Sequence, residues 1–355
     1  MGPEGRAAGI APDLDVSLLS GFRFGCLPGC GLCCFTSPRL DREDGTLLAA
    51  VAPEALLVQE GRERRLAARP DGGACQFLRE MRCGVHRARP APCREFPISV
   101  HVGTRLQATV VLSCPGLDLD PLKTYKGAAG IRPYSGLETE LSSLRRRITP
   151  AVERQRAEAE RRHRRIEREL STQGRWMDES DVRKLLRDRT LIPTTEEYAP
   201  EDPPGAEDGL ELLPMFYDAR PGPVALGRGL GGWEALELSP EGGATLLGLG
   251  VPPDRPPGLE HDAEVLLSGY LRYWLARDGF LAAVQLEMLS TLEGSVVDAV
   301  LDDLHAIGSS VLSRGSVRAK LRGEDGGVLT FEDVALGIRA TDQDWLDRPT
   351  WGSRL

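Results

Sequence analysis

Eight cysteines lie between residues 26 and 114, and the rest of the 355-residue chain has none. They fall in blocks: Cys26, Cys30, Cys33 and Cys34, then Cys75, Cys83 and Cys93, then Cys114. Scattered core cysteines do not distribute this way, whereas thiolates that share one metal centre do. The two residues between Cys30 and Cys33 allow a tight turn to bring two sulfurs to one ion or one cluster edge. Gly29 and Gly31 permit the backbone angles of such a turn, and its amides can point at the sulfurs and stabilise negative charge. A thiolate must lose its proton to bind, and the metal drives that step. All eight cysteines are therefore candidate metal ligands.

The second block reads Cys75-Gln76-Phe77-Leu78, then Cys83, Arg89-Pro90 and Cys93-Arg94-Glu95-Phe96-Pro97. With Cys30-Gly31-Leu32-Cys33-Cys34 before it and Cys114 after it, this order resembles the YkgJ-type cysteine-cluster family, described as zinc- or iron-chelating. The resemblance covers roughly residues 26–116 and implies metal binding more firmly than any reaction. One position departs from it: His86 stands where the family usually has Tyr, either as an added ligand or as a replacement packing residue. A related branch resembles the flagellin lysine N-methylases, which share a cysteine-rich start but differ after it. That branch implies a further reading, S-adenosylmethionine-dependent methyl transfer.

Zinc takes four ligands in a tetrahedron, so eight thiols exceed one zinc site and would fit two. A 4Fe-4S cluster takes four cysteines and leaves the others for a second cluster, a redox pair or support. Adjacent side chains such as Cys33 and Cys34 point in different directions. The expected cofactor is an iron–sulfur cluster with a redox or modification-assisting role, and the alternative is a zinc-stabilised interaction module. Whether the chain is an enzyme is left open, as are the catalytic residues. Arg89 and Arg94 flank Cys93. They would donate to cluster sulfides, hold an anionic substrate, or simply bridge to Glu95 or Glu80.

Other signals are weaker. Cys26, Cys30 and Cys33 have the spacing of the radical S-adenosylmethionine signature, but a second cysteine block follows instead of alternating strands and helices. Gly227-Arg228-Gly229-Leu230-Gly231-Gly232 fits a dinucleotide loop, yet no proper helix opens after it, so a turn between strands is expected. The basic stretch 145–189 has glutamates interleaved and no aromatics to stack bases, as in a solvated helix rather than a nucleic-acid surface. His101, His163, His261 and His305 read as surface or packing residues. No P-loop, paired-His protease motif or serine–histidine–acid order is present.

Net charge is −9, hydrophobic residues make up 41% and charged residues 27%. Such a chain is not built to coat nucleic acid or anionic lipid. No apolar run is long enough to span a bilayer, and the start lacks the basic and apolar regions of a signal peptide. A cytoplasmic, reducing location is expected, where clustered cysteines favour metal over disulfides. Partner identity and oligomeric state cannot be read from these residues.

The elements that must position the cysteines follow from period and punctuation. His101–Leu112 alternates like two short strands with a turn at Gly103. Ala49–Arg69 would supply a helix. Thr149-Pro150 starts a charged helix to about Leu170, and Ser180 caps another through Leu186. Ser239-Pro240-Glu241 starts a short helix, His261 to about Leu312 is a helical block, and Thr330 and Asp333 open a last helix. Trp345 and Trp351 would pin the C-terminal tail. The expected class is α+β: a small cysteine-rich metal-binding domain, a charged helical connector and a mainly α-helical C-terminal domain. The divisions are 1–20 (disordered), 21–135 (cysteine domain), 136–197 (connector), 198–208 (acidic Pro-rich linker) and 209–355 (C-terminal domain).

Overall fold

The computed structural model describes residues 14–354 apart from 28–29, 36–37, 41–43, 47, 49–56, 61–62, 70–73, 81, 126–133, 202–223, 230–231, 292–293, 325–326 and 347. Helix and strand are mixed. The alternating residues form the antiparallel pair Ile98–Val102 (β7) and Leu106–Val110 (β8), with Ile98 opposite Val110 and Val102 opposite Leu106. Leu14–Asp15 (β1) adds in parallel to β8, and Ser353–Arg354 (β14) adds antiparallel to β7. Both ends of the described chain thus meet in one four-stranded sheet. Both of its faces are covered: Val100, Ala108 and Val110 are buried, and so are His101, Gln107 and Thr109.

The polar residues on that sheet find partners on helices. Arg277 stands between helices His261–Ala276 (α6) and Asp278–Glu287 (α7). Its guanidinium donates to Thr109 Oγ1 at 3.1 Å, to the Val110 carbonyl at 3.1 Å and to Asp342 Oδ1 at 2.9 Å. Asp342 also accepts the Leu112 N–H at 2.7 Å. A buried charge pair is tolerable only when its remaining donors and acceptors are met in this way. Asp342 lies on the last helix, Phe331–Leu346 (α9), which packs along Val296–Leu321 (α8). Apolar positions of α6, α7, α8 and α9 join those of β7 and β8 in one core. At Gly269, α6 runs so close to the Leu122 carbonyl that a Cβ would collide with it.

Four expectations change. Residues 1–13 lie outside the described residues, but Leu18 and Leu19 are buried and the Leu18 carbonyl accepts from Tyr273 at 3.1 Å. This segment is anchored because its adjacent leucines have core to fill. Within Ala49–Arg69 the described residues form a hairpin, Leu57–Glu60 (β3) with Glu63–Leu66 (β4), rather than a helix. Ser239-Pro240-Glu241 is a turn joining Gly232–Leu238 (β10) to Ala244–Gly250 (β11). The Ser239 hydroxyl accepts the Glu241 N–H there, so it caps a turn rather than a helix. With Val224–Gly229 (β9) these strands make a three-stranded antiparallel sheet, so the C-terminal part is not helical throughout. Gly229 pairs with Gly232 at the facing ends of β9 and β10, and the expected glycine turn falls on residues 230–231, outside the described residues.

The charged helix is present as Pro150–Thr172 (α4), with the Thr149 hydroxyl accepting the Ala151 N–H. Its sparse apolar residues Val152, Ala159, Ile166 and Leu170 are buried in the main core. The acidic stretch from Tyr198 is fastened where it begins. The Tyr198 hydroxyl meets Ser313 at 3.2 Å and Glu201 pairs with the buried Arg314 at 2.7 Å. Residues 202–208 lie outside the described residues. At the other end, Trp351 donates to Gln285 at 3.1 Å and packs at a tilt on His163 and edge-on to His101. Among the described residues no helix is long and apolar enough to cross a membrane.

Candidate metal centre

The cysteines are carried by short elements whose own packing is slight, and backbone bonds between blocks hold them. A 3-10 turn, Leu32–Phe35, carries Cys33 and Cys34. The Cys75 N–H donates to the Cys34 carbonyl at 2.6 Å, which joins the first block to the second. A two-stranded ribbon, Leu78–Arg79 (β5) with Arg82–Cys83 (β6), sets Cys83 opposite Leu78. Ala91–Glu95 (α1) carries Cys93. Cys114 follows β8, on a loop whose Gly116 carbonyl accepts the Gly25 N–H at 2.9 Å.

A thiolate at Cys33 disfavours ionisation of the other cysteines, Cys26, Cys30, Cys34, Cys75, Cys83, Cys93 and Cys114. Cys30, Cys75 and Cys114 are buried, Cys34, Cys83 and Cys93 are half-buried, and Cys26 and Cys33 are exposed. Among the described residues, no three Cys, His, Asp or Glu side chains already stand close enough to grip one ion.

Burial dominates their acidity. It pushes Cys93 and Cys114 up to about 12 and raises Cys26, Cys30, Cys75 and Cys83. Cys33 goes the other way, down to about 7, chiefly because it shares a hydrogen bond with the Cys34 thiol, whose own acidity falls in return. Backbone amides oppose the burial at four positions. Leu32, Phe77, Val85 and Gly116 each donate their N–H to the thiol two residues earlier, at Cys30, Cys75, Cys83 and Cys114. Such N–H groups aimed at sulfur stabilise thiolate charge and suit a metal-bound state. The donor set and its amides therefore fit a thiophilic metal.

Two cations complete the field. Arg89 favours the thiolate at Cys26, Cys33, Cys83 and Cys93. Arg339, on α9, favours it at Cys30 and Cys114. The Arg339 guanidinium also donates to the carbonyls of Leu112, Cys114 and Leu117, at 3.1 Å to the first and 2.8 Å to the last. The C-terminal helix thus holds the Cys114 loop. Sequence reading missed Arg339 because nothing local relates it to residues more than two hundred positions away.

The expected partners of Arg94 and Glu95 are also corrected. Glu95 is buried and accepts from Ser143 at 3.3 Å and from Arg147, both on Glu138–Arg147 (α3). Arg94 instead donates to the Arg89 carbonyl and lies 3.9 Å from Asp44. Glu95 therefore docks α1 onto α3 and does not bridge the flanking arginines. His86 is exposed, so it is not a packing residue, and the neighbouring Arg89 charge lowers its basicity. Glu140, on α3, is buried with one carboxylate oxygen unpartnered. Its charge acts on Cys26.

Residues 25–115 match the family model CxxCxxCC, described as a "putative zinc- or iron-chelating domain". The matched segment contains all eight cysteines and none of the helices from α2 (Asp120–Lys123) onward. No curated protein and no solved structure matches the chain.

Proposed function

We propose that residues 25–115 hold an iron–sulfur centre on the cysteines and that the helical remainder presents this centre to a partner. The observation that carries the reading is the backbone joining of the cysteine blocks: the Cys75 N–H on the Cys34 carbonyl at 2.6 Å, and the Gly25 N–H on the Gly116 carbonyl at 2.9 Å, which brings the Cys26 and Cys114 segments together. A match to a zinc- or iron-chelating domain supports the metal-binding part.

When bound, such a centre supplies one-electron transfer. The residues of this chain do the rest. Amides of Leu32, Phe77, Val85 and Gly116 stabilise sulfur charge, as do Arg89 and Arg339. Donors to sulfur and nearby cations favour the more reduced, more negative state and raise the potential. The apolar cluster of Leu40, Leu48, Leu66 and Phe77 covers Cys75 and excludes water from it.

Zinc is the second reading, favoured by the same amides, because eight thiols make two tetrahedral sets. In that case the metal only fastens the loops. Methyl transfer rests on resemblance alone and is not carried further. Protein prepared without oxygen decides between the metals. A visible charge-transfer band that bleaches on reduction, with iron and sulfide present, supports the cluster. A colourless protein with stoichiometric zinc overturns it.

A further inference from the structure

We propose that the eight cysteines divide into two ligand sets, Cys26, Cys30, Cys33 and Cys114 on one side and Cys34, Cys75, Cys83 and Cys93 on the other, each holding its own ion or cluster. This rests on the metal-binding reading above and adds the number of centres and the ligands of each.

Backbone pairing makes the division. On one side, Phe24 bridges to Leu117 and the Gly25 N–H donates to the Gly116 carbonyl at 2.9 Å. These contacts set the chain entering Cys26 against the chain leaving Cys114. Arg339 then fixes the Cys114 loop from α9. On the other side, the Cys75 N–H is bound to the Cys34 carbonyl at 2.6 Å. The Leu78 N–H donates to the Cys75 carbonyl at 2.9 Å and the Gly84 N–H to the Phe77 carbonyl at 2.8 Å, which folds Cys83 back beside Cys75.

The apolar packing divides the same way. Cys114 belongs to the large core that contains β7 and β8. Cys75 belongs to a separate cluster with Leu40, Leu48, Leu66 and Phe77, and Cys34 and Cys93 pack against that one. Each set also has two thiols that accept an amide from two residues on: Cys30 and Cys114, and Cys75 and Cys83.

Cys33 and Cys34, whose thiols share a hydrogen bond, stand where the two sets meet, Cys33 serving one and Cys34 the other. Four thiolates suffice for either a zinc ion or a cubane cluster, so the division holds for both metals.

The test is a cobalt(II) titration of the full-length chain without oxygen, read by sulfur-to-metal charge transfer and by metal per chain. The parent is expected to take two cobalt ions. Cys114→Ser and Cys75→Ser are each expected to keep one tetrahedral thiolate site and lose the other, halving the metal content. If Cys114→Ser fails to fold, the exposed Cys26→Ser tests the same set. Loss of both ions in a single variant, retention of both, or saturation of the parent at one ion would overturn the division. A parent that binds no cobalt, zinc or iron would instead overturn the metal-binding reading itself.

Discussion

The Cys75 amide donates to the Cys34 carbonyl at 2.6 Å, so the two cysteine blocks are joined through backbone and not only through sulfur. Among the described residues no three Cys, His, Asp or Glu side chains stand close enough to grip one ion, and burial raises the Cys93 and Cys114 thiols to about 12.

Cys33 and Cys34 are neighbours in the chain but belong to different ligand sets. Cys33→Ser and Cys34→Ser are each expected to halve the metal content, and the double variant to abolish it. Metal analysis of the three variants beside the parent checks this, and complete loss in either single variant would contradict the assignment.

Binding must expel thiol protons. Because burial raises most of these thiols above their ordinary range, metal binding should strengthen as pH rises. The expected gain is about tenfold per pH unit for each proton displaced. Competition between the protein and a chromophoric zinc chelator at pH 6.5 and 7.5 measures it. Affinity that does not change with pH would mean the thiols are already ionised.

Glu179 gives a stability dependence of opposite sign. It opens Glu179–Leu186 (α5) and is raised to about 7, because burial and the nearby Asp278 charge outweigh Arg183 and Arg105. Arg183 is committed more closely to Asp278, at 2.8 Å, than to Glu179, at 3.4 Å. The folded state then holds this proton more tightly than the unfolded state between pH 4.5 and 7. The native state binds more protons in that window, so its stability falls as pH rises through it. Glu179→Gln should match the parent near pH 4 and exceed it at pH 8 by about 1–3 kcal/mol. Urea unfolding at both pH values gives the difference. A variant weaker than the parent at pH 8 would show that the Arg183 pair wins.

Asp342→Asn leaves Arg277 buried beside a neutral partner and weakens the acceptor of the Leu112 amide. The expected loss is about 3–5 kcal/mol, the usual cost of stripping one member of a buried pair. Denaturant unfolding tests it, and a loss below about 1 kcal/mol would place that pair among the weak ones.

Local signals were legible and remote ones were not. Thr149 and Pro150 mark the start of α4 because cap chemistry is contained within one turn. Gly103 marks the β7–β8 connection for the same reason. At α5 the cap is Asp178, whose side chain accepts the Ser180 N–H at 2.8 Å; the sequence reading placed it two residues late at Ser180. Ser239 misleads because the same hydroxyl-to-amide bond closes a hairpin turn as readily as it opens a helix. The cysteines were legible as candidate ligands through type and spacing, and the segment that carries them matches a zinc- or iron-chelating domain. Arg339, Arg147 and Asp342 announced nothing, since their roles depend on helices that meet the cysteine segment only after folding.

Iron, zinc and acid-labile sulfide, measured per chain on protein made and purified without oxygen, test the central claim most directly. The account predicts iron and sulfide in near-equal amounts, a reducible visible band, and their loss when Cys75 and Cys114 are both replaced by Ser. Full-length, folded protein that carries no iron, zinc or sulfide and takes up none on reconstitution would contradict it.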